Sequence, residues 1–217
     1  MADYAERRRT MVDTQVRPSD VTSFPVLDAM LTIPREAFVP DARRDLAYAG
    51  APVDLTATRQ LMEARSIAKI LQALDLQPGD LVLEIAPGLG YTTALLASLT
   101  DAVVAVEEDA TLAAEAEAAL SSQEIDNAAV LHAPLAAGSA KNAPYDAIVI
   151  FGGVAQMPQA LIDQLKEGGR IMAVFMQGAL GEARLGRKID GAISWRVEFN
   201  ATAPVLPGFE RVAGFVF

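Results

Sequence analysis

From residue 80 onward the chain alternates short apolar runs with helix-forming runs. That alternation restricts the possible fold more than any other feature. The apolar runs are LVLEIA (81–86), VVAVE (103–107), AAVL (128–131), DAIVIF (146–151), RIMAVF (170–175), ISWRVEF (193–199) and RVAGFVF (211–217). Between them, helices read at about 91–99, 109–122 and 156–166, with Asp109 as the N-cap of the second and Gly168-Gly169 as the stop of the third. Strands separated by helices pair in parallel, with helices covering both faces. The last two runs have no helix between them, and the LPG segment that joins them suggests a hairpin-like pair with at least one antiparallel strand. The expectation is an α/β protein: a seven-stranded, mostly parallel sheet with an antiparallel strand near one edge. Trp195 alternates with apolar neighbours and reads as packing.

Residues 1–75 have a different texture, of helices and turns. Tyr4 to Val16 reads as a helix ended by Pro18, and Ser23 to Leu31 as one stopped before Pro34. In Arg59 to Leu74, residues Leu61, Ile67, Ile70, Leu71 and Leu74 fall on one face, with Thr58 as the N-cap. The chain therefore reads as one domain over 1–217: an N-terminal helical extension (1–75), then an α/β core (80–217).

Composition removes several function classes. There is no cysteine and a single histidine, His132, so disulfides, thiolate chemistry and His-rich metal sites are excluded and no metal is expected. The net charge of −10 argues against a nucleic-acid partner, which needs a cationic footprint. Arg7-Arg8-Arg9 and Arg43-Arg44 read as solvated helix faces. No apolar run spans a bilayer, and the charged start MADYAERRRTMVDTQVRP has no secretory h-region. A cytoplasmic location and no membrane partner are expected.

The segment that carries chemistry is EIAPGLGYTTALLA (84–97), which runs from strand through glycine turn into helix. In open α/β sheets, ligands bind outside the carboxyl ends of strands at such turns. An acid at the end of the next strand, about twenty residues on, accepts bonds from ribose hydroxyls. Glu107, followed by Glu108, holds that place. The turn Ala86-Pro87-Gly88-Leu89-Gly90-Tyr91 misses two glycines of the dinucleotide fingerprint. It fits E-x-G-x-G-x-G with alanine at the first glycine, the pattern of class I S-adenosylmethionine (SAM) methyltransferases. SAM has no pyrophosphate, so a proline that removes a backbone donor is acceptable here.

Over nearly its whole length the chain resembles the protein-L-isoaspartate O-methyltransferases, enzymes that methylate the carboxyl group of isoaspartyl residues in damaged proteins using SAM. IPREAFVP (33–40), LVLEIAPGLGYTTALLA (81–97), PYDAIVI (144–150) and PQALIDQLKEGGRI (158–171) match family segments in the correct order. The resemblance implies a Rossmann-like class I methyltransferase fold. It implies SAM as cofactor, held by Glu84, Ala86, Gly88, Gly90, Tyr91, Thr92, Glu107, Glu108 and Leu135. It also implies an isoaspartyl protein or peptide as partner.

Three departures stand out. The family's loop G-Q-G-Q-T-I-S-Q-P is replaced by PVDLTATRQL, which puts Arg59 where the serine should be. The family's H-G-D-G has become His132-Ala133-Pro134-Leu135, and its T-A-A after the fourth strand has become Phe151-Gly152-Gly153. Thr58, Arg59 and Gln60 are the candidates for holding the methyl acceptor, with Arg59 either pairing with an acidic substrate group or pointing into solvent from a first helical turn. PVLPGFE (204–210) is expected to line the pocket with residues 54–60. His132 reads as structural or cofactor-adjacent rather than catalytic. The D/N-P-P-Y/F motif of many amine methyltransferases is absent, which argues against an adenine-N6 target.

A carboxylate with a pKa near 4 is ionised at neutral pH, and a sulfonium leaves as a neutral thioether. Positioning and exclusion of water therefore suffice. Two alternatives stay open: a SAM methyltransferase that has moved to another acceptor, such as a small acidic molecule, and a fold-retaining interaction module without activity.

Overall fold

Strand β3 (Leu81–Ile85) takes the middle of the sheet because its side chains find apolar cover on both faces. The computed structural model describes residues 3–211. Val82 points into one core with Val103, Ile67, Leu71, Leu95 and Met172, while Leu83 and Ile85 point into the other with Val106, Ile148, Ile150 and Leu161. Two-sided burial is what makes such a strand read as a continuous apolar run.

The seven strands are β3, β4 (Ala102–Glu107), β5 (Ala128–His132), β6 (Tyr145–Val154), β7 (Leu165–Gln177), β8 (Leu180–Ile189) and β9 (Ala192–Asn200). Their order is β5-β4-β3-β6-β7-β8-β9. The pairs from β5 to β7 are parallel, and β8 runs antiparallel to both of its neighbours. The order reverses between β3 and β6, which opens a crevice at their carboxyl ends.

The sheet class is as expected, but one of its strands is not. Residues 180–189 form β8, which the sequence reading missed, whereas 211–217 lies essentially outside the described residues. The buried positions of β8 are Gly181, Ala183 and Gly186, so the alternation is carried by residues without apolar bulk. A Cβ on Gly186 would lie 2.5 Å from Ile193 Cγ2 and 2.8 Å from Ile171 Cγ2, so only glycine lets β7 and β9 close over it. The β8–β9 turn is Asp190-Gly191, both with positive φ (52° and 78°), the Asp-Gly hairpin signal. Trp195 of β9 packs edge-on against Phe175 at 4.7 Å, as packing rather than a stacking platform.

Several helix boundaries also move. Helix α3 is Ala64–Leu74 and does not begin at Arg59. The Thr56 hydroxyl takes the amides of Thr58 and Arg59 (3.2 and 3.1 Å), and the Arg59 carbonyl takes the Leu55 and Thr56 amides, which closes a hairpin instead. That hairpin pairs β1 (Val53–Asp54) with β2 (Gln60–Leu61), so Leu61 lies on a strand and Thr58 caps no helix. Helix α6 is only Gln159–Asp163 and ends well before Gly168-Gly169, because the Gln164 carbonyl accepts from Tyr145 N at the start of β6. In the N-terminal region α1 covers Tyr4–Met11 and continues as a wider coil over Val12–Val16, and α2 covers Phe24–Thr32. Arg8 is not on a solvated face. It is half-buried, donating to the Thr32 carbonyl at 2.8 Å and to Glu36 at 3.3 Å.

Helices α4 (Tyr91–Leu99) and α5 (Ala110–Ser122) flank β4, and Asp109 caps α5 by accepting from the Thr111 and Leu112 amides. Side chains of the N-terminal region (Met11, Met30, Phe38) share one core with α3 and α4.

Candidate functional site

At the carboxyl end of β4 stands a carboxylate with no exposure at all, that of Glu107. Parallel pairing of β3 and β4 sets it beside the glycine turn, where Ala86 N donates to the Val106 carbonyl at 3.0 Å and Gly88 N donates to Glu107 Oε2 at 3.2 Å. Glu107 Oε1 receives the amides of Glu108 (2.9 Å) and Asp109 (3.1 Å). Its third donor is Arg59 Nη2, at 2.5 Å. Arg59 is thus buried against the strand-end acid. It neither points to solvent nor sits on a helix.

The turn itself is built on left-handed residues. Ala86 has φ 65° and Gly88 φ 58°. A Cβ on Gly88 would fall 2.5 Å from Leu55 Cδ1, so the hairpin loop lies directly on the turn. Gly90 caps α4 with φ 92° and packs against Ala116 and Leu120 of α5.

Glu84 is also fully buried, and it faces α4 rather than the cleft. The Thr92 hydroxyl donates to its Oε1 and the Thr93 hydroxyl to its Oε2 at 2.5 Å. Burial pushes Glu84 up to about 7, opposed by the two threonine bonds and assisted by the nearby charge of Glu107. Glu84 therefore pins the first turn of α4 to β3. Tyr91 is turned into the core on the N-terminal side, 6.0 Å from the Phe38 ring and under the Arg35 guanidinium at 5.0 Å. Arg35 was not singled out from the sequence, although it is the basic residue inside the otherwise apolar IPREAFVP motif. It is buried, donating to the Ala47 and Met62 carbonyls at 2.7 Å each, and burial lowers its pKa.

Two openings flank the Arg59–Glu107 pair. One is a cavity of about 170 Å³ whose walls include Thr58, Arg59, Gln60, Ala86, Gly88 and Thr92, closed by Leu55, Phe151, Pro204 and Leu206. The expectation that 204–210 and 54–60 share a pocket is met by these side chains. Leu206 lies where a Cβ on Gly152 would go, and Leu206 N bonds to the Gly153 carbonyl at 2.9 Å. The other opening is a shallow depression between Glu108, Asp109, His132, Ala133 and Pro134. His132 Nε2 lies 3.1 Å from the Glu108 carbonyl there, away from the cavity. Leu135 is fully buried in the second core, behind this depression. Gln60 is exposed at the cavity mouth with its amide on Asp54.

The structure therefore brings Thr58, Arg59, Gln60, Ala86, Gly88 and Thr92 around the cavity, with Glu107 buried beneath Arg59 and Glu108 on the neighbouring depression. It sets Glu84, Gly90, Tyr91 and Leu135 behind it. The donor set suits a nucleoside: a buried carboxylate for a vicinal diol, a backbone turn open to close approach, and a second recess beside His132 for a base. No cluster of potential metal ligands occurs among the described residues.

Sequence comparison decides the lineage of this cleft. The sequence model of the protein-L-isoaspartate(D-aspartate) O-methyltransferase family matches residues 6–200. The chain belongs to this family. It is 38% identical over 169 residues to a protein-L-isoaspartate O-methyltransferase 1 of Rhodopseudomonas palustris (strain HaA2), covering 78% of this chain and 69% of that one. It is also 38% identical over 172 residues to a protein-L-isoaspartate O-methyltransferase of Syntrophus aciditrophicus, covering 79% of each. Solved structures agree on the fold. A protein-L-isoaspartate O-methyltransferase superposes with TM-score 0.82 at 23% identity, over 93% of this chain and 66% of that one. A Plasmodium falciparum structure described as a putative protein-L-isoaspartate O-methyltransferase in complex with S-adenosyl-L-homocysteine gives 0.79 at 17% identity, over 95% and 99%. The fold is that of a Rossmann-like class I methyltransferase.

Proposed function

We propose that this protein transfers a methyl group from SAM to the free α-carboxylate of isoaspartyl residues in damaged proteins. The observation that carries this reading is the fully buried Glu107 carboxylate facing the Gly88 amide at the switch point of the sheet, in a member of this family. SAM supplies an electrophilic methyl on a sulfonium. The chain's own residues bind, orient and keep water out. Glu107 would accept the ribose hydroxyls, the Ala86–Gly88 backbone would hold the nucleoside, and Glu108 and His132 would border the base. Phe151, Pro204 and Leu206 give an apolar wall that shields the acceptor side, while Thr58, Arg59 and Gln60 present the polar groups there. No general base is required, since the acceptor carboxylate is already ionised at neutral pH.

A second reading keeps the donor and changes the acceptor to a smaller acidic molecule. It is favoured by Arg59, a buried guanidinium where the family carries a serine. The cytosol is the compartment we assign, supported by a chain without cysteine; no helix among the described residues is long and apolar enough to cross a membrane.

Labelled methyl transfer from SAM to an isoaspartyl peptide, beside its aspartyl isomer, tests the reading. Label on the isoaspartyl peptide alone is expected. Label on neither peptide, from a protein that binds SAM, would favour the second acceptor class.

A further inference from the structure

Arg59 is buried, its guanidinium is on Glu107, and its Nη1 has no hydrogen-bond partner among the described residues. Glu107 already receives four donors: Arg59 Nη2, Gly88 N, Glu108 N and Asp109 N. Each carboxylate oxygen has about two lone-pair sites; Oε1 already takes three donors and Oε2 one, so only Oε2 has a place left. Two ribose hydroxyls cannot be added without removing a donor. Three of the four are backbone amides fixed by the turn and the β4–α5 connection, which leaves the side chain of Arg59 as the one that can go. Leu55 blocks the same turn from above, within 2.5 Å of a Cβ position on Gly88. The cavity of about 170 Å³ is below the roughly 300 Å³ at which ligand pockets usually begin.

We propose that Arg59 is a specificity-determining residue with two stations: it latches Glu107 while the nucleoside is absent and, displaced by the ribose, becomes the receptor for the acceptor's carboxylate. The inference rests on the SAM reading given above. The latch is held imperfectly. A buried ion pair gains over its desolvation cost only when its remaining donors are satisfied, and Nη1 is not. Displacement relieves that deficit, because a guanidinium meets a carboxylate with two parallel hydrogen bonds. The cavity that Arg59 borders is the acceptor side of the site, so the swing is short. The order of binding follows: charge selection for the acceptor exists only after the donor is in place.

Calorimetry on the purified full chain tests this with S-adenosylhomocysteine, then with an isoaspartyl peptide and the same peptide amidated at its free α-carboxyl, each titrated into the loaded protein. A latch closed about nine-tenths of the time weakens apparent binding about tenfold, so Arg59→Ser should bind S-adenosylhomocysteine about tenfold tighter than the parent. The loaded parent should prefer the carboxylate peptide to the amide by about tenfold, and loaded Arg59→Ser should lose that preference. Leu55→Ala leaves the ion pair in place and should also tighten S-adenosylhomocysteine, which guards against a folding defect in the first variant. Arg59→Lys, which keeps a cation, should retain part of the preference. Equal or weaker S-adenosylhomocysteine binding by a folded Arg59→Ser overturns the latch and leaves the methyltransferase reading standing. A loaded Arg59→Ser that still prefers the carboxylate overturns the receptor role. No binding by parent or variants overturns the SAM reading itself, and the latch with it.

Discussion

Ala86 carries a methyl group at a position whose φ of 65° suits glycine. Left-handed backbone costs an L-residue roughly 1–2 kcal/mol, while glycine gives back about 0.5–1 kcal/mol of unfolded-state entropy. The Ala86→Gly variant is therefore expected to raise unfolding stability by about 0.5 kcal/mol in denaturant titration. A loss of about 1 kcal/mol or more would show that the methyl packs better than its backbone strains. Two residues away, Glu84 makes stability depend on pH. Its folded pKa is raised from the ordinary 4.5 to about 7, so its contribution is complete below about 4.5 and is lost as pH rises through 7. The parent should lose up to roughly 3 kcal/mol relative to Glu84→Gln between those limits, read as the difference in urea midpoints. Parallel pH profiles of the two proteins would mean that Glu84 titrates normally. The identity of both residues was legible in the E-x-G-x-G-x-G pattern. The direction in which Glu84 points was not, because the pattern is equally satisfied by an acid facing the ligand and by one facing Thr92 and Thr93.

At the scale of elements, the sequence disclosed those built on bulk and periodicity and concealed those built on small residues or on contacts distant in sequence. Strands β3, β4 and β6 announce themselves as apolar runs. Strand β8 does not, since Gly181, Ala183 and Gly186 carry its buried face, yet the Asp190-Gly191 turn was a readable hairpin signal that followed it. The β1–β2 hairpin was hidden because the helical spacing of α3 extends by chance to Leu61. Only the Thr56 hydroxyl and the Arg59 carbonyl reveal the turn. Arg35 shows how the N-terminal region is fastened to the core, joining Ala47, Met62 and the Tyr91 ring. Replacing it with alanine leaves two buried carbonyls unpaired at about 1–3 kcal/mol each, so Arg35→Ala should cost on the order of 2–6 kcal/mol in denaturant titration. A variant within about 0.5 kcal/mol of the parent would mean that water replaces the guanidinium without loss.

For the molecule as a whole, the alternation of strands and helices determined the sheet class, and the position of the glycine turn relative to Glu107 located the cleft. What the sequence could not express was that the two halves of the chain meet there. Arg59 and Leu55, from the N-terminal region, lie on Glu107 and Gly88 of the core, a contact across 48 positions between Arg59 and Glu107. Residues so far apart leave no periodic trace, so Arg59 read equally well as a surface residue. Among the described residues, the buried cation at the cleft, Arg59, is matched to a carboxylate, and the net charge of −10 likewise disfavours a polyanion. The function proposed for the cleft depends on Glu107 being a nucleoside-binding acid. The most direct test is calorimetric titration of SAM into the parent and into Glu107→Gln, with circular dichroism showing that both are folded. Saturable binding is expected of the parent, weakened about a hundredfold or more in the variant, since a buried charged acceptor facing two hydroxyls is removed. Equal affinity in the two folded proteins, or no binding by the parent, would contradict it.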